Sequence, residues 1–179
     1  MLKTAARFAR SRRGMAAVEF ALCAPAMILM FFGAIELSDA LNCRWRVTRV
    51  ASTCADLVAQ STAVSTADIT NVFNAANSIL YPYSTAQAQI VISSAVDDGH
   101  GGAKVAWSRA QNAAARVQGS AITVPAGLIV SGSGASVIFA EIRYTYASVT
   151  TQVLPSTITM TGSFYARPRR SLTVQCNGC

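Results

Sequence analysis

The chain has 179 residues, of which 52% are hydrophobic and 13% are charged, and its formal net charge is +7. This length allows one modest domain with additions, and so few charged residues are unusual for a freely soluble domain. The positive charge does not indicate a nucleic-acid-binding surface, because it is concentrated before the first apolar segment. Five basic residues lie there: Lys3, Arg7, Arg10, Arg12 and Arg13.

An apolar run over residues 15–35 contains one charged residue, Glu19. A helix of about twenty residues spans ~30 Å, the thickness of a bilayer core. Basic residues before such a run hold that side in the cytoplasm, so residues after about position 40 are predicted to lie outside, in the periplasm of a Gram-negative cell. In an ordinary secretory signal a small-residue cleavage site follows a shorter run. Here the small residue, Gly14, precedes the run, which favours a leader that is cut on the cytoplasmic side.

The helical pattern continues beyond the apolar run. Five residues recur at spacings of three and four, which places them on one helix face: Cys43, Val47, Val50, Cys54 and Leu57. Trp45 and the nearby arginines suit the lipid headgroup region. We therefore predict one helix over residues 16–60, bent near Pro25 because proline removes a backbone donor and clashes with the preceding turn.

The remaining sequence predicts a second helix followed by strands. Ser65 and Asp68 form a capping-box-like start, and Pro82 ends this helix near Tyr81 because the residue before a proline avoids helical geometry. Alternation and composition predict four strands, at residues 89–95, 103–108, 137–146 and 158–165. A stalk helix followed by one or two helices against an antiparallel sheet is an α+β fold of pilin-like form.

The basic cluster and the start of the apolar run form one motif, in which Arg12-Arg13-Gly14 precedes Met15-Ala16-Ala17-Val18-Glu19-Phe20. This motif resembles the processing site of prepilins, and most closely that of the TadE-like minor pseudopilins of tight-adherence (Tad or Flp) pili. The resemblance implies cleavage between Gly14 and Met15 by a prepilin peptidase. It also implies that Glu19 and Phe20, fifth and sixth in the mature chain, act in pilus assembly. The alternative is a membrane helix with a stray glutamate near its end, where the cost is small.

Later segments also look like parts of TadE-like pilus assembly proteins, although they carry no known chemistry. These segments are residues 47–52, 55–60, 81–84, 105–108, 125–128, 141–146 and 164–169. The domains predicted on this basis are a basic leader at residues 1–14, a transmembrane and stalk helix at 15–60 and a periplasmic head at 61–179. The helix cysteines Cys23, Cys43 and Cys54 are not carried over from the family.

The cysteines permit a disulfide and raise the question of redox chemistry. Cys43 and Cys54 lie about 16 Å apart along one helix, beyond the ~7 Å limit for disulfide Cα atoms. Cys176 and Cys179 can bridge each other or reach back to the stalk, and we favour the local bridge. A catalytic C-x-x-C pair commonly lies at a helix N-terminus. The final four residues leave no room for a following helix, so we do not predict an enzyme.

His100 is the single histidine, and it lies between glycines beside Asp97 and Asp98. A cation-binding loop is conceivable, but the stretch does not match a twelve-residue calcium loop, so a solvated hairpin tip is favoured. The glycines lack the strand-then-helix setting of phosphate and dinucleotide loops. We therefore predict no catalytic residue, metal, cofactor, nucleic acid or small-molecule substrate.

The sequence thus predicts a minor pseudopilin of a Tad-type pilus, with a structural role in pilus assembly or priming. It is expected to cross the inner membrane once, with its N-terminus in the cytoplasm and its head in the periplasm, and to enter an extracellular pilus. The predicted partners are the prepilin peptidase, other Tad pilins, the pilus assembly platform and membrane lipid. Two alternatives remain: an uncleaved signal-anchored envelope protein whose head binds a partner, and a pseudopilin of a related secretion system.

Overall fold

The computed structural model describes residues 14–148 and 154–179, which form two helices and six strands. The leading element, α1, covers Met15–Ala59. It is followed by β1 (Ala63–Ser65), α2 (Thr66–Leu80) and a 3₁₀ turn (Thr85–Gln87). The remaining strands are β2 (Ala88–Asp97), β3 (Ala103–Gln111), β4 (Ser136–Ala147), β5 (Thr157–Ala166) and β6 (Gln175–Asn177). A long apolar helix followed by a helix and an antiparallel sheet confirms the predicted α+β class.

Four strands form an antiparallel sheet in the order β3-β2-β4-β5. Each of the four predicted strand segments lies within one of these strands. The residues on one face of β4 are all buried: Ile138, Ala140, Ile142, Tyr144 and Tyr146. On the other face Val137 and Phe139 are buried as well, and Phe139 belongs to a second apolar cluster with Ala95 and Val105. The ring of Tyr83 lies edge-on to those of Tyr144 and Tyr146, at centroid distances of 6.5 and 6.2 Å, so these side chains pack together.

The capping box at the start of α2 is confirmed. The Ser65 hydroxyl accepts a hydrogen bond from the Asp68 amide at 3.2 Å, and the Asp68 carboxylate accepts one from the Ser65 amide at 2.9 Å. The hydrogen bonds that the Ser65 amide and then the Ser65 hydroxyl donate to the Asp68 carboxylate hold the pKa of Asp68 below its ordinary value. The amides at the start of a helix have no carbonyl partner within it, and this reciprocal pair of hydrogen bonds satisfies two of them. The helix α2 therefore begins at Thr66.

A second, two-stranded sheet was not predicted. β1 pairs in parallel with β6, so the C-terminal strand lies beside the entry to α2. The Trp107 indole donates a hydrogen bond of 2.8 Å to the Val174 carbonyl and fixes the chain just before β6. Three-residue strands carry too little alternation to be recognised in the sequence.

The described residues fall into two compact units. The first contains the part of α1 up to Asp39 together with Ser148–Ser156. Within it, Glu36 is 3% exposed, and its carboxylate accepts hydrogen bonds of 3.1 Å from the Ser148 hydroxyl and the Leu154 amide. The second unit contains Ala40–Ala147 and Thr157–Cys179, and it holds the sheet.

Residues 15–37 of α1 are almost entirely exposed, and α1 is the one helix in the described residues that is long and apolar enough to cross a membrane. Its most apolar window has a mean hydropathy of 2.1 and no buried residue. The helix runs through Pro25 without interruption, and the bend there stays a prediction.

In the second unit one face of α1 is buried in the core. Cys43, Val47, Val50 and Cys54 are fully buried, as the spacing predicts. Leu57 is 37% exposed, so that part of the prediction is wrong, and Val58 takes its place on the buried face. The reason is the helical period: at 3.6 residues per turn a strict alternation of three and four drifts off the face after a few turns.

Gly162 in β5 lies close to the backbone of α1. A Cβ atom placed there would lie 3.2 Å from the Val47 carbonyl oxygen, 3.3 Å from the Thr48 Cα and 3.1 Å from an Ile142 methyl. Two of these three atoms are backbone and cannot rotate away. A side chain at position 162 would therefore push the helix from the sheet.

We expect Gly162→Ala to destabilise the second unit by about 1–3 kcal/mol, the usual cost of overpacking a core. The matched control is Ser163→Ala on the exposed neighbouring position, which should change stability little. Thermal unfolding of the detergent-solubilised full chain, followed by circular dichroism, measures both. A shift of several degrees in Tm for Gly162→Ala is expected, and an unchanged Tm would refute the close approach.

The buried thiol of Cys54 gives a second prediction. Burial raises its pKa to about 12, whereas an unfolded cysteine titrates near ~8.5. The unfolded chain therefore loses this proton first as pH rises, so stability present below about pH 8.5 should decline progressively toward pH 12. Urea unfolding at pH 7, 9 and 10 should show a steeper fall for the wild type than for Cys54→Ala; equal slopes would contradict the assignment.

Candidate functional site at the N-terminal end of α1

Gly14 lies immediately before the first residue of α1, Met15. A Cβ atom placed on Gly14 would meet no atom within 4 Å, so the described residues leave the Gly14–Met15 peptide bond open to an enzyme. Glycine also offers little steric hindrance of its own. The basic residues of the predicted motif, including Arg12 and Arg13, lie outside the described residues.

Glu19 is exposed on α1, one helical turn after Met15. Residues four apart lie on the same helix face, about 6 Å apart along the axis. Neither of the two ion pairs found in residues 14–148 and 154–179 includes Glu19. The Phe20 ring is 67% exposed. This end of α1 thus presents a carboxylate and an aromatic ring that other molecules can contact.

Apolar side chains surround Glu19 along the helix and remain uncovered. The largest exposed ones in the next four turns include Leu22 at 79% and Met30 at 67%. An exposed apolar surface of this extent requires lipid or another protein to cover it. In lipid a carboxylate is costly unless it finds a partner, so Glu19 is the residue of this surface with most to gain from a cation.

Glu36 is a second carboxylate at the other end of the apolar run, and the sequence analysis did not single it out. It differs from Glu19 because its two oxygens already accept hydrogen bonds from Ser148 and Leu154. Its position in the sequence, directly after Ile35, was a usable signal. The partners were not predictable, because they lie 112 and 118 residues further along the chain.

The predicted tail cysteines, Cys176 and Cys179, are joined in the structure, with Cα atoms 5.5 Å apart. The carbonyl of Gly178, inside this small ring, accepts hydrogen bonds from the Thr66 hydroxyl at 3.1 Å and the Arg109 guanidinium at 2.6 Å. The ring is therefore fastened to the start of α2 and to β3. In the described residues Cys23, Cys43 and Cys54 are not disulfide-bonded, with Cys43 and Cys54 buried and Cys23 exposed, so the tail is not bridged to α1.

The loop between β2 and β3 uses its carboxylates to shape its own backbone. Asp98 accepts hydrogen bonds from the His100 amide at 2.8 Å and the Gly102 amide at 2.9 Å, and these bonds hold its pKa below the ordinary value. Asp97 accepts bonds from the amides of Gly99 and Gly132. Among the described residues no group of three or more His, Cys, Asp or Glu side chains could hold a metal ion. The loop thus has the hydrogen bonding of a hairpin tip.

Comparison with known proteins finds a family similarity at the N-terminal end of the chain. Residues 14–56 match the family model described as TadE-like protein, a range that contains the Gly14–Met15 bond, Glu19 and Phe20. No curated protein and no solved structure matches the chain. The match covers about a quarter of the chain, so the likeness of the segments beyond residue 60 stays a prediction. Residues 14–56 of this chain are therefore similar to TadE-like proteins, and the resemblance noted in the sequence is confirmed there.

Proposed function

We propose that this chain is a minor pseudopilin of a Tad-type pilus, a structural subunit that a prepilin peptidase cuts after Gly14. One observation carries the proposal: within the residues similar to TadE-like proteins, an exposed carboxylate lies one turn from an accessible glycine, on an uncovered apolar helix. The proposed location is the inner membrane, with α1 as a single anchor, the N-terminus in the cytoplasm and the residues after α1 in the periplasm. The proposed partners are the prepilin peptidase, other Tad pilins and the assembly platform.

Cleavage would change the electrostatics at this end of the helix. It would give Met15 a free α-amino group, a cation one turn from Glu19, at a helix end that already attracts anions. A carboxylate in the apolar zone costs about 2–3 kcal/mol at the bilayer centre and less near the interface. Either the chain's own amino group or that of a neighbouring subunit would offset this cost. Pairing with a neighbour would join subunits through their helices before extraction from the bilayer.

After the α1 helices of two subunits come into contact in the bilayer, uncharged contacts hold them together. Helices in a bilayer gain no hydrophobic free energy by leaving lipid for one another, so they associate by close packing and polar contacts. The exposed apolar side chains of α1 supply the packing surface, and Glu19 supplies the polar contact that fixes the register. This division predicts that removing the charge weakens assembly without preventing insertion.

The first test is processing. Gly14→Val should leave the full-length precursor in the membrane, because a branched side chain beside the scissile bond obstructs the peptidase. Since nothing lies within 4 Å of this position, the variant should fold normally. The measurement is the intact mass of membrane-extracted protein from cells with and without the prepilin peptidase.

The control for Gly14→Val is Ala26→Val, which places the same side chain at an exposed position within the apolar run and should be processed normally. If wild type and Gly14→Val both retained residues 1–14, so that their masses differed only by the substitution itself, the chain would be an uncleaved anchor. That result would favour an envelope protein whose extramembrane part binds a partner.

The second test concerns Glu19. Glu19→Ala should still insert and be cleaved, because Gly14 and the basic residues before it remain. Loss of one charge pairing of about 2 kcal/mol should weaken association with other pilins by roughly 30-fold, and piliation should fall with it. Glu19→Asp should be intermediate, since it keeps the charge and shortens the reach. Co-purification of tagged pilins from membranes, together with pilus counts, measures both.

Glu19→Gln and Leu22→Ala separate charge from shape. Glu19→Gln keeps the size of the side chain and should behave like Glu19→Ala, whereas Leu22→Ala removes apolar volume and should have the smaller effect. Normal assembly of processed Glu19→Ala would mean that the carboxylate has no part in pairing, and the mechanism would be wrong.

A further inference from the structure

One side of α1 in the second unit carries an exposed tryptophan between arginines. Six residues line a shallow surface depression with a volume of about 510 Å³, here called the Trp45 patch: Leu41, Arg44, Trp45, Thr48, Arg49 and Ser52. Trp45 is 73% exposed and Leu41 is 47% exposed. The buried face of the helix, which includes Val47, contacts the core instead. A large apolar ring so exposed is a candidate binding surface.

The arginines of this patch are not used to hold the fold. Neither of the two ion pairs in the described part of the chain includes Arg44 or Arg49. Arg46 is different, because it donates a hydrogen bond of 3.0 Å to the Ile79 carbonyl. Two guanidinium groups therefore flank Trp45 and are available to an anion.

A second copy of the chain could not easily supply that anion, because its carboxylates are almost all engaged. Asp56 pairs with Arg169, Glu141 pairs with Arg116, and Glu36 accepts hydrogen bonds from Ser148 and Leu154. The others that accept backbone hydrogen bonds are Asp68, Asp97 and Asp98. Asp39 also has an interaction, and Glu19 lies in the apolar run. The complementary charge must come from a different molecule.

The position of the patch along α1 points to a lipid. Arg44 and Trp45 follow Glu36, at the end of the apolar run, by eight and nine residues, or about 12–14 Å of helix. Helical side chains lean back toward the N-terminus by up to about one turn, ~5 Å. Their tips therefore reach the layer of ~5–8 Å that headgroups occupy on each side of the hydrocarbon. Arg49 lies more than one turn further out.

We propose that Arg44 and Trp45, with Leu41, bind the phosphate headgroup of an anionic phospholipid. The planar guanidinium of arginine matches the geometry of a phosphate. Indole rings are enriched at the membrane interface, where the ring lies among the acyl-chain ends and the N–H points toward water. The inference rests on the proposed membrane insertion of α1, and it adds a lipid preference that insertion alone does not require. Arg49 contributes less to phosphate binding because it lies more than one helical turn further from the headgroup layer than Arg44.

Tryptophan fluorescence of the full chain in vesicles tests the proposal. The chain contains two tryptophans, and Trp107 is buried, so the signal of Trp45 is the difference between the wild type and Trp45→Phe. We expect brominated phosphatidylglycerol to quench Trp45 more strongly than brominated phosphatidylcholine at equal bromine content. A basic residue near an anionic surface is worth about fivefold in binding, and high salt should reduce the preference.

Matched arginine variants locate the effect. Arg44→Gln should bring the two lipids close to equal quenching, and Arg49→Gln should lower the preference less. Arg143→Gln changes an exposed arginine on β4 and should leave the preference unchanged. Equal quenching of the wild type by both lipids, with the chain retained in vesicles at alkaline pH, would overturn this inference alone and leave an acidic protein segment as the occupant. Release of the chain at alkaline pH would refute the membrane anchor and this inference together.

Discussion

The second unit depends on the burial of one face of α1 against the sheet. Val47 and Val50 on the helix are fully buried, as are Ile138 and Ile142 on β4. Gly162 on β5 has no side chain and so lets the strand reach the helix backbone at Val47 and Thr48. Interiors are packed as densely as organic crystals, so such a contact tolerates little change in volume. The remaining elements of this unit are placed by that contact or by the sheet it covers.

The helix α1 carries two carboxylates, Glu36 and Glu19, whose surroundings differ. The difference supports a structural role for Glu36 and the proposed assembly role for Glu19. Glu36 has its oxygens occupied by a hydroxyl and an amide of its own chain, so its charge is solvated by the fold. Glu19 lies on an exposed apolar surface. An ionised group in an apolar setting is stable only when paired or hydrogen-bonded. Of the two, Glu19 is the one that no ion pair of the described residues includes, which is why it carries the proposed assembly role.

Local patterns in the sequence were sufficient for the elements that local physics determines. The alternation of side chains was sufficient to predict β4, and the Ser65–Asp68 pair was sufficient to predict the start of α2. Each pattern involves neighbours only a few residues apart. The β1–β6 pairing and the partners of Glu36 were missed because they join residues more than a hundred positions apart. The candidate site stays a prediction, and it rests on local sequence: the order of Gly14, Glu19 and the apolar run, together with its resemblance to prepilins. The Trp45 patch needed the structure, since only packing shows which arginines remain available.

The buried helix face also decides which cysteines can pair. Disulfide exchange proceeds through the thiolate, and burial raises the pKa of Cys54 to about 12, so at neutral pH almost none of this thiol is reactive. Cys43 is equally inaccessible to solvent. Cys176 and Cys179 lie at the surface, already bridged to each other, with Gly178 between them held by Thr66 and Arg109. The packing that holds α1 on the sheet therefore also keeps Cys43 and Cys54 from disulfide exchange.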